Sequence, residues 1–347
     1  MPEILSPFES DAFNMIALTR NINKIPNMYS RITEMGLFAE EGVSVRSVML
    51  EWYDGLLNIL TSQPVGAPGA LNQSGKRKVE SVVIPHFPLD DVVKPEEYSG
   101  IREFGSASTM QTAASVMARK LMGMKAKHDI TKEWLLMGAL KGIVLDGDAS
   151  TVLVNLFSKF NIGQKTVFFD LSNAATNVEA KCDEVKRHIR KNLKGEMMNG
   201  VHAMVSPAFM GSLKSHANVI AWRKEHPESV MALMDQRDAS RFFAFGGILF
   251  EEYEAEAPIT PGGENQSFIV SGEGHAFPTG TMDTFKIYYA PADFIETANT
   301  NGLPYYAKQE PRKFNRGTDV HTQSNPLPVC RRPEVLVKLS SSAGTAP

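Results

Sequence analysis

Along residues 1–38 the apolar positions Phe8, Phe13, Ile16, Leu18, Ile25 and Met28 are scattered without a sustained period, and Pro2, Pro7 and Pro26 interrupt them. Such a segment buries too little surface to fold alone, and it reads as an arm that lies on something else. From Val43 the period becomes two. In Val43-Ser-Val-Arg-Ser-Val-Met-Leu-Glu-Trp52 the residues alternate between two faces, as a strand requires. Leu56 to Leu60 add apolar content, and Gln63 to Lys78 is rich in turn residues and ends in the cations Lys76, Arg77 and Lys78. A second extended run covers Val79 to Phe87, with Pro85 and Pro88 barring it from the middle of a sheet. The two runs predict a long hairpin with a basic, Pro/Gly-rich tip. A lone two-stranded ribbon is marginal in water, so this one is expected to rest on a neighbour.

The longest helical pattern follows Ser106 and Ser108, either of which can serve as N-cap, and runs to about Lys141. Met110, Ala113, Ala114, Met117, Leu121 and Met124 keep the three-and-four spacing of one face. Asp129-Ile-Thr131 is expected to kink or break it, since two of the three are β-branched. A helix of ~35 residues would span roughly 50 Å, the length of a strut. Beyond it, Ile143-Val-Leu-Asp-Gly-Asp-Ala149 predicts a hairpin with an Asp-Gly turn, and Val167 to Leu171 an extended run. Asn177 to Leu193 predicts a helix with a basic C-terminal end stopped by Gly195. Val201 to Val205 predicts a short buried strand, and Ser206-Pro207 a capped helix start. Further strands are predicted at Arg241–Tyr253, Phe285–Ala290 and Glu334–Leu339, with a loop at Pro258–Asn265. Strand alternating with helix in this half points to a compact α/β subdomain.

The 347 residues are 43% hydrophobic and 22% charged, enough for two subdomains with real cores. The formal net charge of −3 argues against a protein built to grip phosphate backbones. Two cysteines, Cys182 and Cys330, are too few for a disulfide framework and fit a reducing compartment. Met1-Pro-Glu-Ile4 lacks the basic start of a signal peptide, and no apolar window approaches the ~20 residues that cross a bilayer. A cytoplasmic product without membrane association is expected.

Candidate chemistry is sparse. Gly69 to Gly75 with Lys76 has one residue too many for a phosphate loop, and Arg77 stands where Ser or Thr is needed. Gly272-Glu-Gly-His-Ala-Phe277 begins like a dinucleotide fingerprint but places Phe277 at the last small position, and reads as a turn. His202, His216 and His226 lack metal-ligand spacing. Ser206 lacks the nucleophile elbow. Cys182 and His188 fall on different helix faces. Asp90-Asp91 and Glu96-Glu97 read as a solvated connector. No catalytic residue, cofactor or metal is assigned.

Several strings carry a resemblance to a known family. They are Ala118-Arg-Lys-Leu-Met-Gly-Met-Lys-Ala-Lys-His-Asp-Ile-Thr-Lys-Glu-Trp134 with Gly138-Ala-Leu-Lys-Gly142, Phe242-Phe-Ala-Phe-Gly-Gly247, Gly272-Glu-Gly-His-Ala-Phe-Pro-Thr-Gly280, Tyr289-Ala-Pro-Ala-Asp-Phe294 and Pro304-Tyr-Tyr-Ala-Lys308. With the order arm, hairpin, long helix, α/β subdomain and closing strand, nearly the whole chain resembles the phage major capsid protein E family. The resemblance implies an α+β, Hong Kong 97-type (HK97-like) capsid fold. It places an N-terminal arm at 1–40, an extended loop (E-loop) at 41–97, a peripheral domain with its spine helix at 98–200 and 311–347, and an axial domain at 201–310. It further implies a tailed-phage shell subunit that assembles with itself as hexamers and pentamers and encloses double-stranded DNA without reading its sequence. A separate scaffold protein, a portal and a decoration protein are the implied partners, and the virion is the implied location. Phe8, Phe13, Arg46, Trp52, Lys76, Arg77 and Lys78 are the expected inter-subunit contacts, each apolar anchor contributing ~2 kcal/mol. Removal of residues 1–30 is expected to abolish shells without unfolding the subunit. The alternatives are an encapsulin-type nanocompartment of the same fold, a metabolic enzyme built on 201–310, and a nucleic-acid-binding protein.

Overall fold

The computed structural model describes residues 14–25, 30–53, 77–97, 112–225, 241–260 and 262–343. The arm begins with α1 (Met15–Lys24), capped by Asn14, whose side chain accepts the Ala17 N–H at 2.8 Å. A short turn, α2 (Arg31–Glu34), leads to β1 (Ala39–Gly42). The predicted hairpin forms: β2 (Ser47–Tyr53) pairs antiparallel with β3 (Arg77–Val83), and its tip lies outside the described residues. Beyond Pro85 the second run resumes as a separate strand, β4 (Phe87–Val93), which holds Pro88 at a sheet edge where a missing N–H is tolerated.

The long helix α3 (Ala113–Lys141) starts on a capping box between Thr112 and Ser115 and ends at Gly142, whose φ of 82° closes the last turn. Ser106 and Ser108 lie outside the described residues. Its 29 residues span roughly 43 Å. The kink expected at Asp129 is not there: Asp129 pairs with Lys125 one turn back, and the Thr131 hydroxyl donates to the Lys127 carbonyl at 2.8 Å. Satisfied side chains leave the backbone ladder intact.

A hairpin of β5 (Ile143–Leu145) and β6 (Val152–Asn155) follows. Its connection is longer than an Asp-Gly turn, because the Asp148 carboxylate gathers the N–H groups and hydroxyls of Ser150 and Thr151. Next come α4 (Leu156–Phe160), β7 (Lys165–Phe168) and α5 (Val178–Asn192), the predicted helix, whose N-cap is Asn177. β8 (Gly200–Val205) leads into α6 (Pro207–Ser215), where Ser206 is the N-cap, and α7 (Ala217–Glu225). The chain continues through β9 (Phe242–Phe245), β10 (Ile248–Glu252), β11 (Glu256–Pro258), β12 (Asn265–Ser267), β13 (Glu273–Thr279) and β14 (Phe285–Tyr289). It ends with β15 (Tyr306–Pro311), β16 (Thr318–Ser324), β17 (Pro326–Cys330) and β18 (Val337–Ser340).

A mixed six-stranded sheet runs β7-β18-β13-β8-β10-β9. The reading of Gly272–Phe277 as a turn is corrected here, since only Gly272 turns and Glu273–Thr279 is an interior strand. Pro278 is tolerated because β18 pairs only as far as Ala276. Two three-stranded sheets, β1-β14-β17 and β15-β16-β4, pack against α3 through β17, β16 and β4. The boundary expected at 200/201 thus falls within the six-stranded sheet, which takes β7 and β18 from outside 201–310 and leaves β14 and most of β15 to the other sheets.

The main core joins the C-terminal half of α3, α5 and the large sheet. A second core packs Leu18 and Ile22 of α1 against Val116, Met117, Leu121 and Met124 of α3 and Tyr305, Ala307 and Val320 beneath them. Residues 1–30 are therefore not a free arm throughout. Removing them strips Leu18 and Ile22 from a core, so a cut at residue 30 does not separate assembly from folding.

Candidate assembly interface

The middle of α3 carries Lys125, His128, Asp129, Lys132 and Glu133, all at most 5% exposed. Buried charge is tolerated only when paired and hydrogen-bonded. Lys125 lies 3.3 Å from Asp129, and Asp129 accepts the Tyr305 hydroxyl at 2.6 Å. His128 meets the Thr322 hydroxyl at 3.0 Å. Lys132 reaches Glu40 of the arm at 2.9 Å, and Glu40 also accepts the Tyr289 hydroxyl. One oxygen of Glu133 accepts the Ile32 N–H at 2.8 Å and the Tyr253 hydroxyl at 2.9 Å. The helix thereby ties the arm, both three-stranded sheets and the end of β10 to one axis.

These environments shift protonation. Burial pushes the Glu133 carboxyl up to about 7, against the hydrogen bonds it accepts. Burial, aided by the charge of His321, pushes His128 down to about 4. A second buried carboxylate, Glu251 on β10, is gripped by Arg31 at 2.5 and 3.0 Å and by His202 at 3.0 Å. Burial alone would raise its pKa, but the hydrogen bonds from His202 and Arg31 outweigh that and hold it below the usual range. α2 is thus fastened both to the spine helix and to the large sheet.

The ribbon behaves differently. Val48, Leu50 and Val82 alternate onto the core and are buried, whereas Met49 (68%), Val79 (45%) and Val83 (72%) stand exposed on the opposite face with Val45. The register places Trp52 opposite Lys78 and Tyr53 opposite Arg77, which gathers three expected contact residues at one end. The side chains of Trp52, Arg77 and Lys78, and all of Phe8, Phe13 and Lys76, lie outside the described residues. Arg46 is exposed but sits at the other end, where its carbonyl accepts the Ile84 N–H, so it does not join that group.

The residues dismissed as chemistry have structural roles. The Ser206 hydroxyl accepts from Phe209 and Gly272 N–H groups. Cys182 and Cys330 are buried, and burial pushes the Cys182 thiol up to about 12. His216 is satisfied by the Asn173 carbonyl, while His275 is buried with Nε2 unpartnered. The polar seam of α3 was missed from sequence. Its signal was present: positions 125, 128, 132 and 136 continue the stripe that begins at Leu121.

Compared with known proteins, residues 14–341 match the model of a family described as phage major capsid protein E. The chain is 28% identical to the major capsid protein of Salmonella phage Felix O1 (isolate Felix O1-VT1), covering 98% of this chain and 99% of that protein. It is 26% identical to the major capsid protein of Pseudomonas phage KPP10, covering 96% and 98%. Among solved structures, the putative capsid protein of a prophage of E. coli CFT073 matches with a TM-score of 0.56 at 16% identity, covering 94% of this chain and 98% of that one. The capsid of Ralstonia phage GP4 matches with a TM-score of 0.50 at 10% identity, covering 92% and 91%. At such identities these structures speak to fold alone, and the fold is the HK97-like capsid fold. Whole-length likeness to phage proteins leaves the encapsulin alternative unfavoured. The chain belongs to the phage major capsid protein E family.

Proposed function

We propose that this chain is the self-assembling shell subunit of a tailed-phage head, packing as hexamers and pentamers around double-stranded DNA. The observation that carries the reading is the extent of the family match, from residue 14 to 341, which is a likeness to a whole capsid subunit and not to a shared module. The uncovered apolar face of the β2–β3 ribbon supports it, because an apolar strand face in water invites a partner. In this reading the arm (1–40) and extended loop (41–97) contact neighbouring copies, apart from α1, β1 and β4, which pack within the subunit. The peripheral domain is α3 with the two three-stranded sheets, and the axial domain is the six-stranded sheet with α5, α6 and α7. The axial domain gathers around the five- and six-fold axes, where one subunit must fit both rings. No catalytic step is assigned to any residue. A separate scaffold, a portal and a decoration protein complete the head in the host cytoplasm, and the net charge of −3 suits a wall that encloses DNA without gripping it.

Negative-stain electron microscopy of the purified recombinant chain, alone and with its candidate scaffold, tests this. Uniform shells, rings or capsomers are expected. A monodisperse monomer under every condition would overturn it.

A further inference from the structure

The turn between β15 and β16 has features that packing within the subunit does not use. Between the paired residues Pro311 and Thr318, Phe314 has a φ of 63° and Asn315 a φ of 51°. Asparagine adopts left-handed backbone readily, but for a bulky phenylalanine it is an outlier. The strained turn holds the Phe314 ring 88% exposed, with the Arg316 guanidinium 5.6 Å above it. Lys313 and Arg316 flank the ring, are exposed, and form no ion pair among the described residues. Strain combined with full exposure of an aromatic marks a group presented to something outside the chain.

The flank of the same hairpin has the complementary character. A cleft of ≈ 830 Å³ is walled by Asp90 and Asp91 of β4, Asp293, Phe294, Glu310 and Asp319, among others. Arg312 answers Asp319 at 2.7 Å, and Lys120 of α3 answers Asp91 at 3.2 Å. No lysine or arginine pairs with Asp90, Asp293 or Glu310 among the described residues. Asp90 meets His321, and Asp293 meets His86 at 3.8 Å and accepts from Gln323. Phe294 supplies an aromatic wall, with Lys308 over its ring at 5.1 Å. The cleft therefore offers surplus negative charge around an aromatic surface, and the turn offers surplus positive charge around an aromatic ring.

We propose that the Lys313–Arg316 turn of one copy seats in this cleft of the next. Phe314 packs against Phe294, and Lys313 and Arg316 face Glu310, Asp90 and Asp293. A hairpin tip cannot fold back onto its own paired flank, so the occupant is a second copy of the chain. Tip and flank are different surfaces, which makes the contact heterologous and allows it to close into a ring. The inference rests on the self-assembly reading and adds a charge-matched joint distinct from the arm and the ribbon.

The test compares three full-length proteins: wild type, a tip variant (Lys313→Glu with Arg316→Glu), and the tip variant with Glu310→Lys added. Shell yield is read by sedimentation and negative stain, and subunit integrity by circular-dichroism melting, with Phe314→Ala as a second tip variant that leaves charge unchanged. Both tip variants are expected to melt as wild type and to lose roughly tenfold or more in shell yield. Adding Glu310→Lys is expected to restore most of the loss. Wild-type yield from the tip variants overturns the joint, and so does a loss that Glu310→Lys leaves untouched. If the wild type never assembles, the self-assembly reading falls and takes the joint with it. If the wild type assembles and the tip variants do too, only the joint falls.

Discussion

Lys125, Asp129, Lys132 and Glu133 of the spine helix are charged yet buried, and each finds a partner within the chain. Met49, Val79 and Val83 of the β2–β3 ribbon are apolar yet exposed. Desolvated charge is stabilising only when it is answered at close range, and the seam is answered inside one subunit except at Glu133 Oε2, which has no hydrogen-bond partner among the described residues. Apolar surface has no such demand for geometry. It can wait in water for a second copy, at a modest penalty that assembly later removes. The contrast separates residues that fold the subunit from residues that join subunits.

The largest effect that would break this contrast is expected at Asp129. Asp129→Ala removes the carboxylate that faces the buried Lys125 and accepts the Tyr305 hydroxyl, and should cost about 3–5 kcal/mol of stability in chemical denaturation. A loss under about 1 kcal/mol would mean that water or a rearranged neighbour answers Lys125, and that the seam is not closed. On the ribbon the effects should reverse. Met49→Asp or Val83→Asp should change stability by no more than about 0.5 kcal/mol while lowering shell yield about tenfold. Equal losses in both assays would show that the outward face serves folding after all.

A smaller effect sharpens the reading of Glu133. Burial holds its folded pKa at about 7, above the unfolded value of about 4.3. The stability this adds is full below pH ~4.3 and is lost as pH rises through ~7. His128 and His275, held by burial at about 4 and about 3, act in the opposite sense, and their contribution disappears as pH falls below ~6.5. The informative quantity is therefore the difference between wild type and Glu133→Gln. Melting temperatures from pH 5 to 8 should show the variant gaining on wild type as pH rises, and parallel curves would refute the assignment. The smallest effect is expected at Arg46, exposed at the base of the ribbon. Arg46→Ala should leave stability within ~0.5 kcal/mol and shell yield near wild type, because the register puts it away from Trp52 and Lys78.

Much of the architecture was legible because local signals and tertiary demands agreed. Ser206 caps a helix as predicted, α5 fills the run read from Asn177 to Leu193, and the ribbon pairs where the period of two predicted. Where the sequence misled, a long-range partner had changed the meaning of a local signal. Asp129-Ile-Thr131 resembles a helix break until Lys125 and Tyr305 satisfy the aspartate. Gly272–Phe277 resembles a turn until β8 and β18 pair with it from both sides. No element is predicted for Pro326-Leu-Pro-Val-Cys330, which forms a strand because its prolines are tolerated at the edge of a sheet, beside β14.

By itself the sequence determined the order of elements and the capsid family, because period, caps and family strings are written in consecutive residues. Only the tertiary structure decided that α1 belongs to a core, that the buried ions of α3 fasten the arm to the sheets, and that Phe314 stands in solvent beside an acidic cleft. Those outcomes depend on which residues, hundreds of positions apart, remove water from one another, and no local pattern records that.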